Sequence, residues 1–381
     1  MRSLFNGGAS APPNLSDLQK ILGPSISLKG KLKANPNDYI LRIQYAVALD
    51  NEGNASDAED VLREALQKGQ KKPEIYHALG MLYLKNKLYS GAIEEFQNEI
   101  RLAPKNAQAH LNLAQVYVYV NQNKPAMQEF ETAQKIDPNN ADAYLGLALL
   151  NNTSERYQYS VRYLMEYIKR TSSPGSGYAL LCRVYINMRL NDKAIEAGKQ
   201  ATTALPNDAA CWYNLGQSYA YHPASTYDKE AIAAFERAIQ VESNWGGIHF
   251  ELARIYERQK RYDDAILRYS DCVRLLPNNG KALYQLGRLL VQRGRADEGQ
   301  KTITKAQNLI RLNQLETQLT AKIAANPTEP RYVYEIGLVY KDQGEYQKAV
   351  NTFGFLVQMA PNYPKARETW EEMKRAVALQ H

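Results

Sequence analysis

The side chains best suited to chemistry in this 381-residue chain are five histidines, three cysteines and one pair of adjacent aspartates, and their spacing assembles nothing. His110 and His249 stand where an aromatic recurs along the chain, His222 lies in a loop-like stretch and His381 is the last residue. None has the spacing of a metal ligand. Cys182, Cys211 and Cys272 are too scattered for a disulfide framework or a zinc site and read as small core residues. Asp263 and Asp264 open a helix, where carboxylates suit the positive end of the dipole. The chain has no glycine-rich phosphate loop, no G-x-S-x-G elbow and no cysteine–histidine pair of sites. These residues predict no catalytic centre, no cofactor and no metal.

Charge is equally undirected. The net +7 divides into +2 over residues 1–170, +4 over 171–320 and +1 over 321–381, so it reads as a mildly basic, solvated surface. No lysine- or arginine-rich run is present that would track phosphates. Residues 1–13 are small, contain glycine and proline, and predict a disordered leader. With neither a signal peptide nor an apolar span, the expected compartment is the cytoplasm.

The elements that would have to position any site come from one repeating stretch. In residues 73–106, Tyr76, Leu79, Gly80 and Tyr83 put three large side chains and one small one on a helical stripe. Ala92, Phe96 and Ile100 then recur every four residues until Pro104 stops the second helix. The result is a helix hairpin in which Gly80 and Ala92 let two backbones cross closely. A period of 34 residues carries the pattern onward through Leu113-Ala114 with Tyr117, Leu147-Ala148, Leu181-Cys182 with Tyr185, and Trp212 with Leu215-Gly216 and Tyr219. It returns in Leu252-Ala253 with Tyr256, and in Ile336-Gly337 with Tyr340, Ala349, Phe353 and Pro361.

These residues resemble the tetratricopeptide repeat, whose signature is W-x₂-L-G-x₂-Y, then A-x₃-F, then P. Nine copies are counted, at 39–72, 73–106, 107–140, 141–174, 175–208, 209–245, 246–279, 280–311 and 330–363. The resemblance implies an all-α fold, a right-handed α-solenoid of helix-turn-helix repeats with a helical insertion before the last repeat and a C-terminal capping helix. Residues 14–38 form a helical lead-in, 39–311 hold the first eight repeats, 312–329 an inserted or extended helix, 330–363 the ninth repeat and 364–381 the cap. The segments 28–38 and 319–329 share the form L-x-x-K-Φ-x-A-N-P-x-acid, as though the array restarts. Leu312, Leu315, Leu319 and Ile323 make an apolar stripe that needs a cover, either this chain's own ninth repeat and cap or a second subunit. Ser172 to Gly177 reads as a hinge, and His222 to Thr226 lengthens a turn by about three residues.

Function then falls to the groove face of the first helices. In the first four repeats its residues are Ile43 and Val47, His77 and Met81, Leu111 and Gln115, Leu145 and Leu149, mostly apolar. Later they are Ala179 and Arg183, Tyr213 and Gln217, Phe250 and Arg254, Tyr284 and Arg288, with Asn187, Asn214 and Arg258 nearby. Aromatics supply rigid contact area and arginine forks pair carboxylates, which points to an acidic or C-terminal peptide. The family resemblance implies a non-enzymatic scaffold or adaptor for a peptide or partner domain. The family's carboxylate clamp for chaperone tails requires lysine, asparagine and arginine in three adjacent repeats; only Asn112 and Asn214 match, so that ligand is not expected. Sequence-tolerant nucleic-acid binding through the basic later groove is the other reading, separable by its steep loss with salt.

Overall fold

A computed structural model describes residues 25–223 and 227–379. The expected leader at 1–13, the first part of the lead-in and residues 224–226 of the lengthened turn lie outside the described residues. Within them the chain forms twenty α-helices and no strand. They divide into two compact units between His222 and Pro223.

The hairpin Pro73–Lys85 with Tyr89–Leu102 shows how each repeat is made. Lys87 enters the left-handed region at φ 61°, its N–H donates to Leu84 O at 3.0 Å, and the Leu88 N–H donates to Tyr83 O at 2.8 Å. These two bonds satisfy carbonyls that the end of a helix would otherwise leave open. The same residue of the turn is Gly53, Lys87, Asn121, Glu155 and Arg189 in the first unit and Lys260, Gly294 and Gly344 in the second. Glycine adopts this conformation freely, whereas the lysines, Glu155 and Arg189 hold it against steric cost.

The opposite end is closed by side chains. Asn106, Asn140, Asp208 and Asn279 cap the following helix by accepting from the main-chain N–H groups of Gln108, Asp142, Ala210 and Ala282. In several repeats the opening residue has a donor's task besides packing. Tyr144 Oη donates to Pro138 O at 3.0 Å, Trp212 Nε1 to Pro206 O at 2.8 Å and His110 Nε2 to Pro104 O at 3.1 Å. Arg42, which is not aromatic, does the same to Pro36 O at 2.9 Å. Each reaches the carbonyl six residues back and pins the turn between repeats.

Within a hairpin, Gly80 is small for a reason other than the bare crossing of two backbones expected from the sequence. A Cβ built there would lie 2.6 Å from the Phe96 ring, so the ring of the second helix occupies the space. Gly337 stands in the same way beneath Phe353. Elsewhere the volume is divided differently: Ala148 pairs with Leu164, and Cys182 pairs with Gly198, whose Cβ would lie 3.2 Å from the Cys182 sulfur. In Gly280–Gln292 against the next helix the backbones do meet, with a Cβ on Gly287 only 2.8 Å from the Gly299 carbonyl.

The segment read as a hinge is closely packed. A new helix, Gly175–Asn187, starts inside it; a Cβ on Gly175 would sit 2.6 Å from Leu205, and one on Gly177 would sit 2.7 Å from Ile168. Those glycines admit neighbouring side chains. The division between units falls instead at the lengthened turn.

In the second unit, Ala296–Ala325 is a single helix of 30 residues, about 45 Å long. Its first half buries Ala306 and Leu309 with Leu283, and its second half buries Leu312 and Leu319 with Ile336 and Val339 of the helix Pro330–Asp342. Ile303 and Leu319 occupy corresponding places about sixteen residues apart, and at about 100° per residue that turns the packing face by about 160°. One helix therefore presents nearly opposite sides to two neighbours. The apolar stripe weighed as a subunit interface is mainly internal: Leu312 and Leu319 are 3% and 1% exposed, Ile323 is partly buried, and Leu315 alone stays open at 40%. Asn278 Nδ2 donates to Gln343 O at 3.0 Å, and Gln343 Nε2 donates to Asn313 Oδ1 at 2.9 Å, tying the turn after Leu276 to the last hairpin. The helix Ala366–Ala378 closes the chain, with Lys374 Nζ 4.2 Å from the Trp370 ring centre.

Two outcomes test this packing. In a double-mutant cycle on Gly80→Ala and Phe96→Leu, Gly80→Ala alone costs about 1–3 kcal/mol, and the smaller partner recovers part of it through a coupling of about 1 kcal/mol. Denaturant unfolding of the four proteins measures it; additive effects would refute the shared volume. Leu319→Ala lowers stability by about 2–5 kcal/mol at unchanged molecular mass, whereas Leu315→Ala changes it by no more than about 0.5 kcal/mol. Sedimentation and melting together check both.

Candidate binding surface

In the second unit the helix Gly246–Arg258 places Phe250, Arg254 and Arg258 four residues apart on one stripe, and Gly280–Gln292 places Tyr284 and Arg288 likewise. Phe250, Arg254, Glu257, Arg258, Tyr269 and Gln285 line a cleft of about 370 Å³. Phe250 meets the buried Tyr269 edge to face, with ring centres 5.7 Å apart. Burial pushes the Tyr269 phenol up to about 12, and its hydroxyl donates to Glu257 Oε2 at 3.1 Å. Four of the predicted groove residues, Phe250, Arg254, Tyr284 and Arg288, thus lie on two consecutive first helices of this unit.

The arginines do not stand alone. Arg254 pairs with Glu251 at 2.9 Å, Arg258 with Asp228 and Arg288 with Glu257. Gln259 Nε2 adds a bond to Asp228 Oδ2 at 3.2 Å, and Gln285 Oε1 accepts from Arg288 Nε at 3.1 Å. Sequence reasoning named the cations and missed Asp228, Glu251 and Glu257. A signal was present: Asp228 precedes Arg258 by 30 residues and Glu257 precedes Arg288 by 31, a little under one repeat, which puts each carboxylate on the neighbouring hairpin. The surface is close to charge-balanced, not basic.

The first unit treats its predicted residues differently. Arg183 and Asn187 are exposed on Gly175–Asn187. Gln217 Nε2 donates to Tyr213 Oη at 2.8 Å and to Tyr221 Oη at 3.3 Å, a ladder along Ala209–Ala220. Asn214 Nδ2 donates to Ala179 O at 3.5 Å, so that side chain joins two first helices. Leu111, Leu145 and Leu149, expected to line an apolar groove, are buried in the unit's own core. What stays open between first helices is a pocket of about 230 Å³, which Val47 and Met81 help to line.

Cys182, Cys211 and Cys272 are buried, which pushes the first two thiols up to about 12 and the third to about 11. Among the described residues no cluster of three or more histidine, cysteine or carboxylate side chains could hold a metal, and no helix is long and apolar enough to cross a membrane.

Models of the tetratricopeptide repeat match residues 83–150 and 258–315, residues 229–280, and residues 330–363. Human protein O-mannosyl-transferase TMTC1 is 24% identical over 216 residues, which are 56% of this chain and 24% of that protein, so the chain spans about a quarter of its length. Among solved structures, the C-terminal part of a TPR repeat-containing protein from Cytophaga hutchinsonii aligns with TM-score 0.54 at 18% identity, over 64% of this chain and 99% of that one. A chain of the APC/C hetero-tetramer Cut9-Hcn1 aligns with TM-score 0.50 at 19% identity, over 70% of this chain and 53% of that one. With the 34-residue period, the pinned turns and the small residues at each crossing, these matches make the chain a member of the tetratricopeptide repeat family.

Proposed function

We propose that the chain is a non-enzymatic scaffold that holds a peptide or a partner domain against its first helices, and that the second unit binds through Phe250, Arg254, Tyr284 and Arg288. The supporting observation is the set of guanidiniums at 254, 258 and 288, each steered by a carboxylate and set beside aromatic rings. The carboxylates hold the guanidiniums in place on the surface of the unit, where a planar fork of this kind is suited to pairing a ligand carboxylate. The partner this suits is a peptide with an isolated carboxylate next to apolar side chains. A polyanion is a poor match, because Asp228, Glu251 and Glu257 offset the three cations before any phosphate arrives. In the first unit Arg183, Asn187, Tyr213, Asn214 and Gln217 supply polar contacts of the same kind, described within that unit alone.

The test is capture of protein partners by the wild-type chain and by Arg254→Ala/Arg288→Ala, with quantitative mass spectrometry. Capture is expected to fall at least tenfold with helicity unchanged and stability altered by no more than about 1 kcal/mol, since exposed ion pairs contribute little. Undiminished capture overturns the assignment. Binding of single-stranded nucleic acid that falls steeply between low and physiological salt would overturn the protein-partner reading itself.

A further inference from the structure

The pocket of the first unit lies between the helices Tyr39–Asn51 and Pro73–Lys85 and is floored by Ala55–Gln67. Three alanines, at 46, 58 and 78, shape it, and they are not equivalent. Ala46 and Ala58 stand at the crossing of the first hairpin, where every repeat needs a small residue. Ala78 does not. At its place in later repeats stand Asn112, Gly146, Leu180, Asn214, Glu251, Gln285 and Glu335; all but Gly146 are larger, and a Cβ on Gly146 would strike the Phe130 ring, so a neighbouring side chain fills the space there. The short side chain at 78 leaves room that is filled elsewhere: Leu180 is packed in the core, Asn214 bridges to the preceding helix, and the Phe130 ring lies against Gly146. The walls are already removed from water, so an apolar group entering the space replaces poorly placed water and meets partner atoms on all sides.

One end of the pocket is polar. Lys85 Nζ lies 2.6 Å from Asp50 Oδ2, with the Asp50 side chain 11% exposed. The pair offers one donor and one acceptor with no net charge. That complements a peptide bond, which also has one of each, and disfavours a ligand with a net charge at this point. We propose that this pocket seats one leucine- or phenylalanine-sized side chain of a peptide partner, with the partner's main chain hydrogen-bonded between Asp50 and Lys85.

The experiment uses the full chain with ¹³C-labelled methionine methyls and three N-acetylated, C-amidated peptides, Gly-Ser-Gly-X-Gly-Ser-Gly, in which X is Phe, Leu or Ala. Met81 borders the pocket and Met165 of the same unit does not. The Met81 methyl is expected to shift saturably with the Phe and Leu peptides and at least tenfold more weakly with the Ala peptide, with Met165 unmoved. Ala78→Leu, which installs the residue of position 180, removes the response, and Ala78→Val, a smaller filling that the fold accepts more readily, reduces it. Arg254→Ala/Arg288→Ala leaves it as it is, so the pocket and the arginine surface stand or fall separately. Equal shifts with all three peptides, no saturable shift of Met81, or a wild-type response in an Ala78→Leu chain whose Met165 signal is native would each overturn the proposal.

Discussion

Every hairpin in this chain depends on one shared volume, the space under the helix crossing that the small residue of the first helix leaves and one residue of the second helix fills. The filling residue stands eight places before the closing proline, as Phe96 does before Pro104 and Phe353 before Pro361. The shares change from repeat to repeat. Glycine takes a phenyl ring, Ala148 takes Leu164, and where Cys182 faces Gly198 the space is closed by Leu215 of the following helix, whose Cδ1 would lie 3.0 Å from a Cβ on Gly198. Close packing makes such trades obligatory, because a methylene too many forces side chains off their rotamers and one too few leaves a void.

That constraint explains what was legible in the amino-acid sequence. The period, the hairpins and their ends follow from residues that recur in phase, so the fold could be read without coordinates. Three features could not. The donor that opens several repeats is hidden because Arg42, His110, Tyr144 and Trp212 share an N–H or O–H at the right reach and little else. The left-handed turn residue is marked by glycine at Gly53 and Gly294 but carried by Lys87 and Glu155 elsewhere, since two main-chain bonds outweigh the local strain. And 172–177 has a composition that serves flexibility and close approach equally well; only the neighbours, Leu205 and Ile168, decide between them.

The candidate surface was less legible than the fold. Register alone places Phe250, Arg254, Tyr284 and Arg288 correctly on first helices, yet it does not reveal the carboxylates, because Asp228 and Glu257 become neighbours only once hairpins stack. The same stacking removes Leu111, Leu145 and Leu149 from the groove that their positions predict. A groove residue's exposure depends on the size of its neighbour one repeat away, and that neighbour is a separate choice in each repeat.

The long helix carries this independence to its limit. Leu28 and Leu319 both stand eight residues before a proline, in the place of the filling residue, and among the described residues neither helix has a first helix of its own crossing it there. Ala296–Ala325 solves the resulting exposure by continuing a complete hairpin and turning its face by about 160°, so Leu319 is covered from the other side by Ile336 and Val339. Stacked repeats are stabilised by nearest neighbours, so an array can be interrupted this way without loss of either part. It follows that the groove chemistry of each stretch is set locally: apolar and charge-neutral where Ala78 hollows the first unit, guanidinium-rich but balanced where Arg254, Arg258 and Arg288 meet their carboxylates in the second. An array so built can vary the surface of one repeat without altering the surfaces of the others.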